Sequence, residues 1–505
     1  GANYHGIEVV NLMMGSGNDT ILVDDTPVSA SGSFGFSHDD GSGLDFITRG
    51  TGDWFADGFN IGDRITVADG PNAGIYLITG ISVDGANLTV SGADLTDATD
   101  IATTVTIDYP LTIIQGGGNR MVGGVMGGDT IIVTGSATGN IPLILLGDST
   151  QDGGPYVMPR GVQSDLAVAF DYSGNDVIDA SGARAGVVIY GGAGDDVLTG
   201  GSGNDQIFGG SGSDIITGGD GGDHLYGDDG LNLEYGVRAD LAVQVLTVVD
   251  MAGAAAPVSG DLLTAGSDTI HGGAGDNIII GDFGFITQQR TNPAQDPRLL
   301  STANVIAITS SSIGFGGDDI IDTGDGNNLI LGGAGADRIT AGSGRDLIAG
   351  DNASIVLTTA GMVTSAVTTD TVERDGGADT IDAGDGDNIV LGGAGADSIT
   401  TGAGMDVILG DEGGVSFTMA GVLVRVATAD VMLGGDDTIH AGAGDNVILG
   451  GSGSDAITTL DGADIILGDN GGFTYTAAGL LTEAATSDSG FGGDDVINAG
   501  DGDNI

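Results

Sequence analysis

The sequence predicts an all-β protein in which short strands and turns stack as coils of a solenoid. Three observations predict it. The stretch GGAGDDVLTGGSGNDQIFGGSGSDIITGGDGGDHLYGDDG, residues 191–230, returns glycine and aspartate every nine residues. A large apolar residue keeps the same register, with Leu198, Ile207, Ile216 and Leu225 each two residues after Asp196, Asp205, Asp214 and Asp223. The chain also has 505 residues, too many for one compact domain unless it is an array. Glycine supplies 99 of them, yet there is no Gly-X-Y period and only 9 prolines, so neither collagen nor a disordered linker fits.

The repeating unit is G-G-x-G-x-D-x-U-x, with U a large apolar residue. Its last three positions alternate as a short strand with U facing inward. Its first six form a turn tight enough to need positive φ, which glycine adopts without a Cβ penalty. Nine residues make a strand and a turn, and eighteen make a full coil with a strand on each side. Coils then stack at the β spacing of about 4.8 Å.

The register organises the chain. Residues 1–30 read as a partial Gly/Asp strand segment. Residues 31–110 hold the only tryptophan, Trp54, with alternating strands and turns at Asp69-Gly70 and Asp84-Gly85, as expected of a small antiparallel β module. Residues 111–186 are an irregular lead-in to the roll. The strict repeat spans 187–230, an insertion 231–265, two repeat turns 266–282, and a second insertion 283–315. Over 316–505 a longer period appears, with blocks starting at Asp319, Asp379, Asp437 and Asp495, which are 60, 58 and 58 residues apart. Complete blocks close in a Gly-Asp pair, Gly350-Asp351, Gly410-Asp411 and Gly468-Asp469, and lead into a β-prone segment centred on Ala-Gly. These segments predict β-hairpin insertions projecting from the stack. They either pair with a neighbouring molecule or fold back on their own roll. The final DGDNI matches Asp385–Ile389 and stops inside a strand, as expected of a piece of a longer protein.

Charge narrows the partners. The net charge is −59, and all 12 basic residues are arginine. Nucleic acid and direct membrane insertion are poor expectations for such a chain. The absence of cysteine removes disulfides and thiolate metal sites. The five histidines are scattered, and His224 and His271 read as solvent-facing filler. No H-E-x-x-H, G-x-S-x-G or phosphate-binding loop is present, so no enzyme is expected. Trp54 reads as a core residue of its module, with sugar stacking as the other option.

Stacking sets equivalent turns above one another. Asp196 then falls beside Asp214, and Asp205 beside Asp223. The same logic pairs Asp319 with Asp337, Asn328 with Asp346, Asp379 with Asp397, and Asn388 with Asp406. It also pairs Asp437 with Asp455 and Asn446 with Asp464. Asp268, Asn277, Asp495 and Asn504 occupy the same register position. Carboxylates this close repel unless a cation lies between them. Carboxylate and glycine carbonyl oxygens, without sulfur, suit a hard ion of flexible coordination, so calcium is the expected cofactor.

The nonapeptide resembles the calcium-binding repeat of RTX proteins. The resemblance covers most of 187–505 outside the insertions. It implies a right-handed parallel β-roll, secretion by a one-step (type I) bacterial route, and folding on meeting extracellular calcium. The repetitive blocks are most similar to very large RTX surface proteins and adhesins, which implies an extracellular or cell-surface location and a scaffold role. Self-association through the hairpins and a surface or glycan ligand are candidate interactions. The alternative is the export-and-folding repeat domain of a secreted hydrolase or toxin whose catalytic domain lies elsewhere. Asparagine at 277, 328, 388, 446 and 504 departs from the motif and is expected to weaken those sites.

Overall fold

The computed structural model describes residues 9–14, 18–23, 29–39, 44–54, 59, 61, 64–91, 95–107, 111–117, 127–134, 143–148, 174–235, 242–244, 265–289, 302, 304–311, 313–372, 376–488 and 490–505. Among them two 13-stranded sheets lie face to face and form a parallel β-roll. Each coil gives one strand to each sheet. Val187–Ala193, Gln206–Ser211, His224–Tyr226 and Ile278–Ile280 are successive strands of the inner sheet. Val197–Thr199, Ile215–Asp220, Thr269–Ala274 and Ile320–Asp322 are successive strands of the outer sheet.

The apolar register residues stack without slipping. Ile189, Ile207, Leu225, Ile279, Ile330 and Ile348 align down the inner sheet. Leu198, Ile216, Ile270, Ile321, Ile339 and Ile381 align down the outer sheet. Both columns meet in one core. A one-residue slip would turn the core set out to solvent, so the register is strongly specified. It also survives the insertions, since Leu225 pairs with Ile279 and Ile348 with Val390.

The two sheets differ in what covers them. Most inner-sheet triplets are apolar throughout, as in Ile278-Ile279-Ile280 and Ile389-Val390-Leu391, with Gln206 and His224 as buried polar exceptions. Outer-sheet triplets set a polar residue on at least one side of the apolar one, and on both sides in Arg338-Ile339-Thr340 and Ser398-Ile399-Thr400. Continuous apolar runs belong to strands buried on both faces. A third, 10-stranded sheet supplies the second cover, packing over the inner sheet through Ile280, Leu331, Leu391, Leu409, Val415 and Val426. His224 illustrates the consequence. It lies in the inner sheet and is only 1 % exposed, which corrects the solvent-facing reading, while His271 in the outer sheet is exposed.

The insertions build that third sheet. Ala353–Leu357 with Val363–Thr368, Gly413–Phe417 with Leu423–Thr428, and Gly471–Tyr475 with Leu481–Thr486 are antiparallel hairpins. Each leaves the roll where an inner strand ends and folds back across the inner sheet. The tips share one turn. Thr358 N–H donates to the Met362 carbonyl and Gly361 N–H to the Thr358 carbonyl, with Gly361 at φ 78°. Gly421 and Gly479 repeat it at 77° and 80°, a left-handed position where a side chain would be strained. Successive hairpins pair with one another, Ser365 with Ser416 and Arg425 with Thr474. The hairpin over 413–428 therefore has both edges occupied within its own chain.

The roll begins before the strict repeat. Val9–Met13 pairs with Leu111–Gln115, and Thr20–Val23 with Thr130–Val133. The chain between these two directly paired coils forms a closed antiparallel barrel from Ser29–Asp39, Leu44–Arg49, Arg64–Val67, Gly74–Ile81, Asn87–Ser91 and Ala98–Ile107. Trp54 is fully buried in its core, 5.6 Å from the Phe34 ring and 4.7 Å from the Phe59 ring between centroids. Its indole N–H donates to the Ala86 carbonyl at 3.2 Å. No helix among the described residues is long and apolar enough to cross a membrane.

Ile399 is fully buried in the roll core, and its neighbour Ser398 is exposed. Ile399→Ala is expected to cost about 2–5 kcal/mol of stability in calcium, and Ser398→Ala within about 0.5 kcal/mol. Denaturant unfolding of both variants checks the difference.

Candidate metal centres

Every aspartate or asparagine singled out in the repeat falls on one of two vertical ladders, one along each edge of the roll. At the edge where the chain passes from inner to outer sheet, the ladder runs through Asp196, Asp214, Asp268, Asp319, Asp337, Asp379, Asp397, Asp437, Asp455 and Asp495. In each step the backbone N–H of one residue donates to Oδ1 of the next, at 2.7–3.0 Å. At the opposite edge the ladder runs through Asp205, Asp223, Asn277, Asn328, Asp346, Asn388, Asp406, Asn446, Asp464 and Asn504, at 2.8–3.1 Å. The pairs expected eighteen residues apart all form. The ladders also bridge the insertions, joining Asp214 to Asp268 and Asp337 to Asp379.

Two kinds of residue on the first edge escaped the repeat pattern. Asp19, Asp129 and Asp176 extend its ladder upstream through the same N–H to Oδ1 bonds. Their signal is the Gly/Asn-Asp-x-apolar string inside the irregular segments, as in GGDTII and SGNDVI. The aspartates of the Gly-Asp pairs are the second kind. Asp282 accepts N–H bonds from Gly317 and Ala334, and Asp351 from Gly377 and Ala394. Asp411 does the same with Gly435 and Ser452. Each clamps two later turns. Their recurrence at block ends was visible, but only the fold brings them back to the acidic edge.

The two edges differ chemically. Along the first, Oδ2 of Asp129, Asp176, Asp196, Asp214, Asp268, Asp319, Asp337, Asp379, Asp397, Asp437 and Asp455 is buried without a hydrogen-bond partner. Glycine carbonyls stand beside these atoms. A Cβ placed on Gly191 would lie 2.3 Å from Asp196 Oδ2 and 2.4 Å from the Gly209 carbonyl oxygen. Gly392 repeats this at 2.4 Å from Asp397 Oδ2 and 2.0 Å from the Gly410 oxygen. Orphaned carboxylate oxygens beside glycine carbonyls, each with a second lone pair to offer, form a donor set for a hard cation, and calcium fits it.

On the second edge, protein groups supply much of what a cation would. Thr401 Oγ1 donates to Asp406 Oδ2 at 2.7 Å, Thr459 Oγ1 to Asp464 Oδ2 at 2.6 Å, and Gly201 N–H to Asp205 Oδ2 at 2.6 Å. The asparagine amides cap glycine carbonyls, Asn388 to Gly384 and Asn446 to Gly442 at 3.2 Å, and Asn504 to Gly500 at 3.0 Å. Asn328 donates to Asp346 Oδ1 at 2.9 Å. All the register asparagines lie here and none on the acidic edge.

Burial raises the acidic-edge carboxyls far above their usual range. Asp268, Asp337 and Asp397 are pushed up to about 7 and Asp196 to about 8. Asp437 reaches about 10, with the charges of Asp397 and Asp411 adding to desolvation. On the second edge desolvation raises Asp406, but the bonds from Thr401 and Asn388 hold it down.

The model of the RTX calcium-binding nonapeptide repeat matches residues 188–216, 199–233, 264–285, 313–348, 374–408 and 433–466. No curated protein matches the chain. RTX nonapeptide repeats bind multiple calcium ions and are structural rather than catalytic. They are typical of secreted extracellular bacterial proteins.

The raised carboxyls set the pH response of the metal-free chain. Their folded values lie above an unfolded value near 4, so the fold binds protons that the unfolded chain lacks. That stabilisation is complete below about pH 4 and is lost as pH rises through about 7–8. In chelator, the denaturation midpoint is expected to fall between pH 5 and pH 8. A midpoint that rises over this range contradicts the desolvated ladder.

Proposed function

We propose that this chain, a carrier of RTX calcium-binding nonapeptide repeats, is a calcium-stiffened structural segment of a secreted bacterial surface protein, serving an adhesin, surface layer or filament as scaffold. The supporting observation is the unbroken acidic edge, where each buried aspartate spends Oδ1 on an N–H of the preceding coil and keeps Oδ2 for an ion.

The acidic-edge aspartates and their neighbouring glycine carbonyls are the calcium ligands in this reading. Calcium supplies the positive charge that lets stacked buried anions coexist. Oδ1 fixes the spacing of neighbouring coils, glycine leaves its carbonyl uncovered, and the apolar columns keep the turns aligned. The mixed edge is held mainly by asparagine and threonine hydrogen bonds, with calcium confined to the bare Oδ2 atoms of Asp223 and Asp346. Sites of this extracellular kind bind at roughly 10⁻⁴–10⁻³ M. Binding to the folded state alone then drives folding by mass action. In calcium-poor cytosol the polyanion stays open for export, and outside the cell it closes. The hairpin sheet adds a packed third layer along the roll, more than an export tail requires, and this favours the scaffold over the tail of a hydrolase or toxin.

Circular dichroism at pH 8, where protons no longer neutralise the edge, tests the switch with and without chelator, and substantial β-signal surviving calcium removal at that pH counts against it. Asp397→Asn is expected to weaken calcium binding about tenfold or more, yet to stabilise the metal-free fold by removing a buried anion. Asn388→Ala is expected to cost about 1–3 kcal/mol without changing the calcium count. Equilibrium dialysis and denaturation of both variants read these effects. An unaltered calcium affinity in Asp397→Asn removes the acidic edge from the account.

A further inference from the structure

Asp351, Asp370 and Glu412 form a separate acidic cluster at the base of the hairpins. They are 0 %, 1 % and 1 % exposed, and one carboxylate oxygen from each lies within 4.8 Å of the others. Three parts of the chain meet here. Asp351 closes an inner strand as the chain enters one hairpin. Asp370 stands where that hairpin returns to the roll. Glu412 opens the next hairpin, one block later.

The surrounding bonds hold the cluster in place. Asp351 is gripped by the Gly377 and Ala394 N–H groups, and Asp370 Oδ1 accepts from Asn352 Nδ2 at 2.8 Å. Glu412 is positioned by its own backbone, whose carbonyl accepts from Ala429 N–H at 2.8 Å. The two hairpins are tied beside it by Thr368, whose Oγ1 accepts from Gly413 N–H at 2.9 Å and donates to the Gly413 carbonyl at 3.2 Å. Glu412 Oε1 is nevertheless buried without a hydrogen-bond partner. A carboxylate oxygen taken from water and given no donor needs a cation or a proton. Asp351 borders the acidic edge, but Asp370 and Glu412 belong to neither ladder, and none of the three is the aspartate of a nonapeptide.

We propose that Asp351, Asp370 and Glu412 bind a calcium ion that fastens two successive hairpins to the roll. Three carboxylates without nitrogen or sulfur select a hard divalent ion, and three non-adjacent chain segments favour the adaptable shell of calcium over strict octahedral magnesium. The next junction is a natural contrast. There Asn470 stands in place of Glu412, its amide donates to Ser452 Oγ at 2.8 Å, and Asp430 is exposed. The ion would therefore pin one hairpin pair and not its neighbour, giving the third sheet a local anchor within otherwise similar blocks.

Crystals of the full chain soaked in terbium, a calcium surrogate with strong anomalous scattering, test this directly. A peak among the three carboxylates is expected, with none at Asn470. In equilibrium dialysis with calcium, E412Q is expected to lose one ion per chain. The alternative counter-charge is Arg374, four residues past Asp370 in the sequence. R374Q is expected to keep the wild-type calcium count. A lower melting temperature for R374Q, with no ion density in the cluster, overturns the proposal, as does an unchanged count in E412Q. Terbium along the acidic edge but absent here sinks this site alone, whereas its absence from both sinks the edge assignment as well.

Discussion

The structure depends on buried carboxylates stacked along one edge of the roll. Each accepts a backbone N–H from the adjoining coil through Oδ1, so the anion is part of the solenoid's hydrogen-bond ladder. Its second oxygen is desolvated and has no protein partner. Removing such a group from water without compensation opposes folding. The same arrangement that aligns the coils therefore makes the fold conditional on a cation or on protons. A thin core of single apolar residues in two columns is sufficient only once that charge is neutralised.

Asymmetry between the edges refines this dependence. Asparagine occupies the second edge at 277 and 328 in succession and then alternates with aspartate, and its amide donates to glycine carbonyls whose counterparts on the other edge stand beside bare carboxylate oxygens. Threonine hydroxyls at 401 and 459 satisfy Asp406 and Asp464, while Asp346 keeps a bare Oδ2. One edge is thus conditional on the ion and the other largely self-sufficient. The hairpins leave from the acidic edge, so the ion-dependent turns are also those that launch the third layer. Neutralising them fixes both the stacking of coils and the footing of the hairpins.

The third layer explains a feature of the inner strands that periodicity alone does not. Tyr190, Phe208 and Tyr226 stack along the face turned away from the roll core, with ring centroids 4.8 and 4.6 Å apart. Side chains of this size on an open face would expose an apolar stripe. Covered by the hairpin sheet, they become a second core. Pairing between successive hairpins also closes strand edges that would otherwise template association.

Much of the fold was legible because its information is local and repeated. Nine-residue spacing fixed where Asp196 and Asp214 meet, and the apolar position two residues later fixed which side chain enters the core. The alternation of polar and apolar triplets also records which sheet is covered, although reading it requires knowing that alternate strands belong to different sheets. The Asn positions were plain in the sequence but their gathering on one edge was not, because that depends on which half of each coil a nonapeptide occupies. Tertiary structure alone decided the direction of the hairpins, the return of Asp351 and Asp411 to the acidic edge, and the meeting of Glu412 with Asp370. The physical reason is range. Turn geometry and strand period act over a few residues and write themselves into a motif, whereas burial and charge at a junction are set by segments that become neighbours only after the coils have stacked.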